Sequence, residues 1–88
     1  MQMKNSDWTI QDNSLKKTFK FKDFKEAFRF MTAVSVICEE HQHHPDWSNS
    51  YNKVMISLTT HDADNTLTDK DYKLAEAIDN SSMEFELM

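Results

Sequence analysis

The chain contains no glycine, and that absence narrows what it can fold into more than any other feature. Glycine enters left-handed backbone without a steric cost, so its loss leaves every tight turn to Asn, Asp or Ser. Whole classes of site go with it. A G-x-G-x-x-G fingerprint, a P-loop and a G-x-S-x-G nucleophile elbow each need glycine where backbone meets a phosphate or bends sharply. None can be built here.

With 88 residues the chain is expected to form a single domain, 1–88, with a core between about residues 8 and 80. Ten Lys+Arg against fifteen Asp+Glu leave a net charge of −5. That balance argues against a nucleic-acid binder, which needs a basic face to displace counterions, and against a polybasic membrane contact. One cysteine, Cys38, excludes an intramolecular disulfide and suits a reducing compartment. The longest nearly apolar run, Phe30 to Cys38, is too short to span a bilayer, and Met1 to Ser6 lacks the apolar stretch of a signal peptide. A soluble, acidic, cytoplasmic protein is expected.

Trp8 to Asp12 alternates apolar and polar, Asn13-Ser14 reads as a turn, and Leu15 to Phe21 alternates again with Leu15, Phe19 and Phe21 on one face. From Asp23 the period lengthens. Asp23 and Glu26 resemble a capping box, and Phe24, Phe28, Met31, Val34 and Cys38 recur at helical spacing to about His41, stopping before Pro45. Ala27, Phe30, Val36 and Ile37 widen the stripe beyond what so small a core can cover, which predicts self-association. Trp47 to Ser50 and Tyr51 to Thr60 read as a second hairpin turning near Ser50 to Asn52, with Val54, Ile56 and Leu58 inward. Asp62 to Thr66 is a polar loop. Thr68 to Asp71 opens a second helix, carrying Leu74, Ala75 and Ile78 and ending at Asn80 to Ser82, with a frayed tail to Met88. The order β-β-α-β-β-α predicts an α+β fold, a four-stranded antiparallel sheet with helices on one face.

Four histidines, His41, His43, His44 and His61, fall at the predicted end of a helix and the predicted end of a strand. Element ends aim side chains into clefts while the backbone stays rigid, and imidazole exchanges protons near neutral pH. Three readings stay open: acid–base catalysis without metal, a zinc site drawn from Cys38 and the histidines, or cations that only suit a helix C-terminus. Glu39 lies one turn before His43 and could orient an imidazole; an exposed glutamate there is more simply solvated. Asp71 is most simply the N3 partner of Thr68, and Cys38 a small core residue. Trp8 and Trp47 could stack on a flat heterocycle or only pack.

Taken together, His43-His-Pro-Asp-Trp47, Tyr51-Asn-Lys-Val54, Leu58-Thr-Thr-His61 and Leu67-Thr-Asp-Lys-Asp71 closely resemble the pterin-4a-carbinolamine dehydratase family. The resemblance runs from about Trp8 to Asn80. It implies dehydration of 4a-hydroxytetrahydropterin, left by aromatic amino acid hydroxylases, to quinonoid dihydropterin, with no metal and no added cofactor. By position it implies that His43 and His61 are the acid–base histidines, that His44 assists at the substrate, and that Glu39, Trp47 and Asp71 support or bind it. It implies a homodimer or homotetramer, and a functional link to a hydroxylase. The same fold also serves as a regulatory or assembly module in some relatives, so a non-catalytic pterin-binding role is the alternative. Two departures stand out: the loop after His61 is one residue longer than usual and lacks glycine, and Asn13 stands where the family's first turn has glycine.

Overall fold

The computed structural model describes residues 8–61, 64 and 66–87. Its elements are β1 (Thr9–Gln11), β2 (Ser14–Lys20), α1 (Phe24–His41), β3 (Asp46–Ser50), β4 (Lys53–Leu58) and α2 (Asp69–Ser82). The strands form one antiparallel sheet in the order β1-β2-β4-β3. The expected α+β architecture and element order are both present. Sequence neighbours pair as hairpins, and the central β2–β4 pairing joins the two, with Leu15 opposite Leu58 and Phe19 opposite Val54.

The helices cover the face bearing Leu15, Phe19, Val54, Ile56 and Leu58, against which Phe30, Val34, Leu74 and Ile78 are buried. Phe30 packs at 5.0 Å from the Phe19 ring and 4.8 Å from Phe21. Lys17 shares this face. Its Nζ pairs with Asp79 at 2.9 Å beside the Trp8 indole, whose Nε1 donates to the same carboxylate. On α1 the buried stripe is Ala27, Phe30, Val34 and Cys38, whereas Phe24 (48%) and Phe28 (52%) are exposed. The i, i+3, i+4 spacing therefore selects a narrower face than the whole apolar stripe.

Three expectations need correction. Tight turns were to fall to Asn, Asp or Ser, yet Gln42 and Tyr51 also adopt left-handed backbone (φ 51° and 53°), beside Asp12, Asn13 and Asp64. Glu26 does not complete a capping box with Asp23. Its N–H binds Asp23 Oδ1 at 2.8 Å, but its carboxylate turns inward to Arg29 and to the Glu86 N–H. Nor is the tail frayed: Phe85 packs edge-on to Phe30, Lys22 N–H donates to the Glu86 carbonyl, and Leu87 bridges Phe21. Glu86 also pairs with the Lys22 ammonium and, by that hydrogen bond and its charge, raises the lysine above its ordinary range. The tail docks because Phe85 finds apolar surface and Glu26 offers its backbone a buried acceptor. In the loop after His61, Asp62, Ala63 and Asn65 lie outside the described residues, as do Met1 to Asp7 and Met88.

Candidate active site

The C-terminus of α1 sets the position of the paired histidines. Gln42 turns left-handed, its N–H donates to the Glu39 carbonyl at 3.2 Å, and the His43 N–H donates to the Cys38 carbonyl at 3.1 Å. These crossed bonds form a Schellman ending, which satisfies the last carbonyls and reverses the chain. Gln42 therefore stops the helix three residues ahead of Pro45, and His43 leaves it pointing into the fold.

His43 is buried (9% exposed), and its Nε2 lies 2.6 Å from Oδ1 of Asp71, a carboxylate with no exposed surface. Asp71 is held from both sides. The Thr68 N–H donates to Oδ2 at 3.0 Å, the N3 arrangement expected at the start of α2. The Thr60 hydroxyl donates to the same oxygen at 2.8 Å, and Thr60 Oγ1 lies 2.7 Å from Thr68 Oγ1. One residue thus caps a helix with one oxygen and holds an imidazole with the other. Sequence reasoning found the first role and missed Thr60 altogether, although its place beside His61 at the end of β4 was a usable signal.

His44, the next residue, turns outward. Its Nε2 meets Glu39 Oε2 at 2.6 Å, with both side chains exposed. Glu39 thus partners His44 and not His43, which takes its carboxylate from α2. His44 and Glu39 border a cleft of about 370 Å³ whose walls include Val36, Cys38, Pro45 and the half-buried Trp47. Its size suits a small heterocycle, and apolar walls with a few polar groups are what such ligands need. A larger trough of about 510 Å³ crosses the open face of the sheet past Lys16, Thr18, Ser48 and Met55. It is lined by no histidine, whereas the smaller cleft has His44 in its wall and is the candidate site; neither His43 nor His61 lines it. His61 is exposed at the exit of β4, directly after Thr60, which ties it through one residue to the Asp71 network.

Cys38 is buried on the inner face of α1, and burial, reinforced by the Glu39 charge, pushes its thiol up to about 11. That opposes the thiolate a zinc site would require. Among the described residues, no three His, Cys, Asp or Glu side chains converge to hold a metal ion. No helix among them is long and apolar enough to cross a membrane.

The arrangement has relatives. The sequence model of the family described as pterin 4 alpha carbinolamine dehydratase matches residues 1–81. A protein of Prochlorococcus marinus named for that dehydratase is 55% identical over 76 residues, which cover 86% of this chain and 79% of the relative. Among solved structures, a transcriptional coactivator/pterin dehydratase from Brucella melitensis aligns with a TM-score of 0.79 and 38% identity, over 84% of this chain and 80% of that one. A pterin dehydratase-like protein identified as a RuBisCO assembly factor in the alpha-carboxysome aligns with a TM-score of 0.75 over 89% and 92%. At 21% identity that likeness is one of fold. Since the matched span takes in the sheet, the histidine turn and α2 up to Ser81, the chain belongs to the pterin-4a-carbinolamine dehydratase family.

Proposed function

We propose that this chain dehydrates 4a-hydroxytetrahydropterin to quinonoid dihydropterin by histidine acid–base catalysis. The observation that carries the reading is the buried His43–Asp71 pair, next in the chain to His44, which borders the cleft with Trp47. In the reaction the C4a–O bond breaks and the hydroxyl leaves as water with a proton from an acid. The neighbouring ring nitrogen gives its proton to a base, and its electron pair becomes the new C=N bond. His43 and His61 share these two transfers, each of a kind that contributes ~10²–10⁴-fold. Asp71 orients His43, Glu39 orients His44, and His44 with Trp47 holds the flat ring. The substrate carries no charge that would call for a cationic clamp, so a net charge of −5 is no obstacle. The residues need neither a metal nor an added cofactor for this chemistry. The protein would act as one domain in the cytoplasm, downstream of an aromatic amino acid hydroxylase.

The exposed Phe24, Phe28 and Val36 on α1 support assembly as a homodimer or homotetramer. They also favour a second reading, a binding or assembly module on the same fold, the role named for the structural neighbour from the alpha-carboxysome. A dehydration assay on freshly made 4a-hydroxytetrahydropterin, followed by its ultraviolet absorbance against the spontaneous background, separates the two. The dehydratase reading expects acceleration by the wild type and its loss in His43→Ala and His61→Ala variants that keep native circular dichroism. A folded wild type that gives no acceleration leaves the module reading, and full activity in both variants removes the histidine mechanism.

A further inference from the structure

An ionised carboxylate only accepts hydrogen bonds, so the donors around Asp71 fix where the protons of this network lie. Oδ2 takes the Thr60 hydroxyl at 2.8 Å and the Thr68 N–H at 3.0 Å, while Oδ1 faces His43 Nε2 at 2.6 Å. Thr60 has one hydroxyl proton and gives it to Asp71. The 2.7 Å contact between the two hydroxyls is therefore Thr68 donating to Thr60, and the protons run in one order from Thr68 through Thr60 to Asp71. With both of these donors on Oδ2, Oδ1 is the oxygen left to accept from the imidazole, which places the proton of the 2.6 Å bond on Nε2. Every member of this buried set has its partner, and such networks hold one arrangement rather than several.

We infer that Thr60 is a positioning residue: through Asp71 it fixes His43 as the Nε2–H tautomer, leaving Nδ1 as the nitrogen that exchanges a proton with substrate. The exchange at Nδ1 rests on the dehydration reading; the tautomer does not. Long-range proton–nitrogen correlation spectra of the imidazoles, with His43 assigned by its loss in His43→Ala, read the tautomer at a pH where the ring is neutral. The expected result is a proton on Nε2 in the wild type, a tautomer mixture in Thr60→Val, and recovery in Thr60→Ser. In the dehydration assay Thr60→Val lowers kcat about tenfold to a hundredfold with KM nearly unchanged, and Thr60→Ser restores most of it. A wild-type His43 protonated on Nδ1 overturns the inference, and so does a folded Thr60→Val that keeps the wild-type tautomer. If the wild type does not dehydrate the pterin, the dehydration reading falls while the spectra still decide the tautomer. Should Thr60→Val not fold, the wild-type spectrum remains decisive, with Asp71→Asn, whose NH2 would face Nε2, as the variant expected to reverse the tautomer.

Discussion

Among the described residues two carboxylates are buried, Asp71 (0% exposed) at the histidine end of the sheet and Glu26 (6%) at the other. Both are fully partnered, yet their partners differ in kind. Glu26 takes the Glu86 N–H at 2.9 Å and the Arg29 guanidinium at 2.7 Å, so it ties the tail to α1. Asp71 gives one oxygen to its helix and the other to an imidazole, a group whose proton can move. A buried carboxylate that binds only fixed donors contributes stability, whereas one that binds a titratable ring can set that ring's chemistry. Burial alone does not tell them apart.

Neutralising Asp71 gives the largest expected effect. Asp71→Asn keeps the shape, but the Thr60 hydroxyl and Thr68 N–H claim the amide oxygen and leave the NH2 facing His43, so Nε2 must accept and the tautomer is reversed. Dehydration should fall about 10²–10⁴-fold in kcat while circular dichroism stays native. Glu26→Ala should do the reverse. It leaves the Glu86 N–H and Arg29 without their acceptor, so urea denaturation should show a loss of about 2–3 kcal/mol with kcat unchanged. Loss of activity in folded Glu26→Ala, or an Asp71→Asn that loses stability alone, would break the distinction.

How far the sequence could show this depends on the range of the interaction. The hairpins and helices were legible because alternation in Leu15 to Phe21 and Val54 to Leu58, and helical spacing from Ala27 to Cys38, are local. The two halves of Asp71 illustrate the limit. Its bond to Thr68 spans three residues and could be read as a capping pattern; its bond to His43 spans 28 and depends on how α2 crosses α1. Thr60 escaped notice for the same reason, since threonine at a strand end is ordinary until the fold brings Asp71 to it. Glu26 was misjudged because its partner lies 60 residues away in a tail whose composition reads as frayed. Resemblance supplied His43, His44 and His61 as a set, which spacing alone left open.

The histidine end has an alkaline weakness centred on the Cys38 thiol. The Cys38 thiol titrates near 9.0 when free and is pushed up to about 11 by burial and by Glu39. Between those values the unfolded chain releases a proton that the folded chain keeps, so the folded state holds more protons and stability falls as pH rises. The loss is complete only above about 11 and amounts to at most about 2–3 kcal/mol. Denaturation midpoints of wild type and Cys38→Ala across pH 8 to 11 should converge as the wild type weakens. Parallel slopes in the two proteins would remove Cys38 as the cause and place it on groups such as Lys22.

The smallest effect concerns turns built without glycine, and it contrasts the two hairpins. The β1–β2 turn places its positive φ values on Asp12 and Asn13 (54° and 60°), residues whose short polar side chains tolerate left-handed backbone. The β3–β4 turn instead places Tyr51 there at 53°, with its side chain mostly exposed and so gaining little from packing. Residue type distinguishes the two sites, because both lie in tight antiparallel turns at nearly the same φ. Glycine removes the Cβ conflict at Tyr51, offset in part by the entropy it adds to the unfolded chain, for a net gain of about 0.5–1 kcal/mol. Asn13→Gly should gain less, a few tenths at most, because asparagine already fits the site. Urea midpoints rank the two variants. If Tyr51→Gly is neutral or destabilising, the tyrosine ring is held by a contact worth more than the backbone conflict, and the turn owes its stability to that side chain.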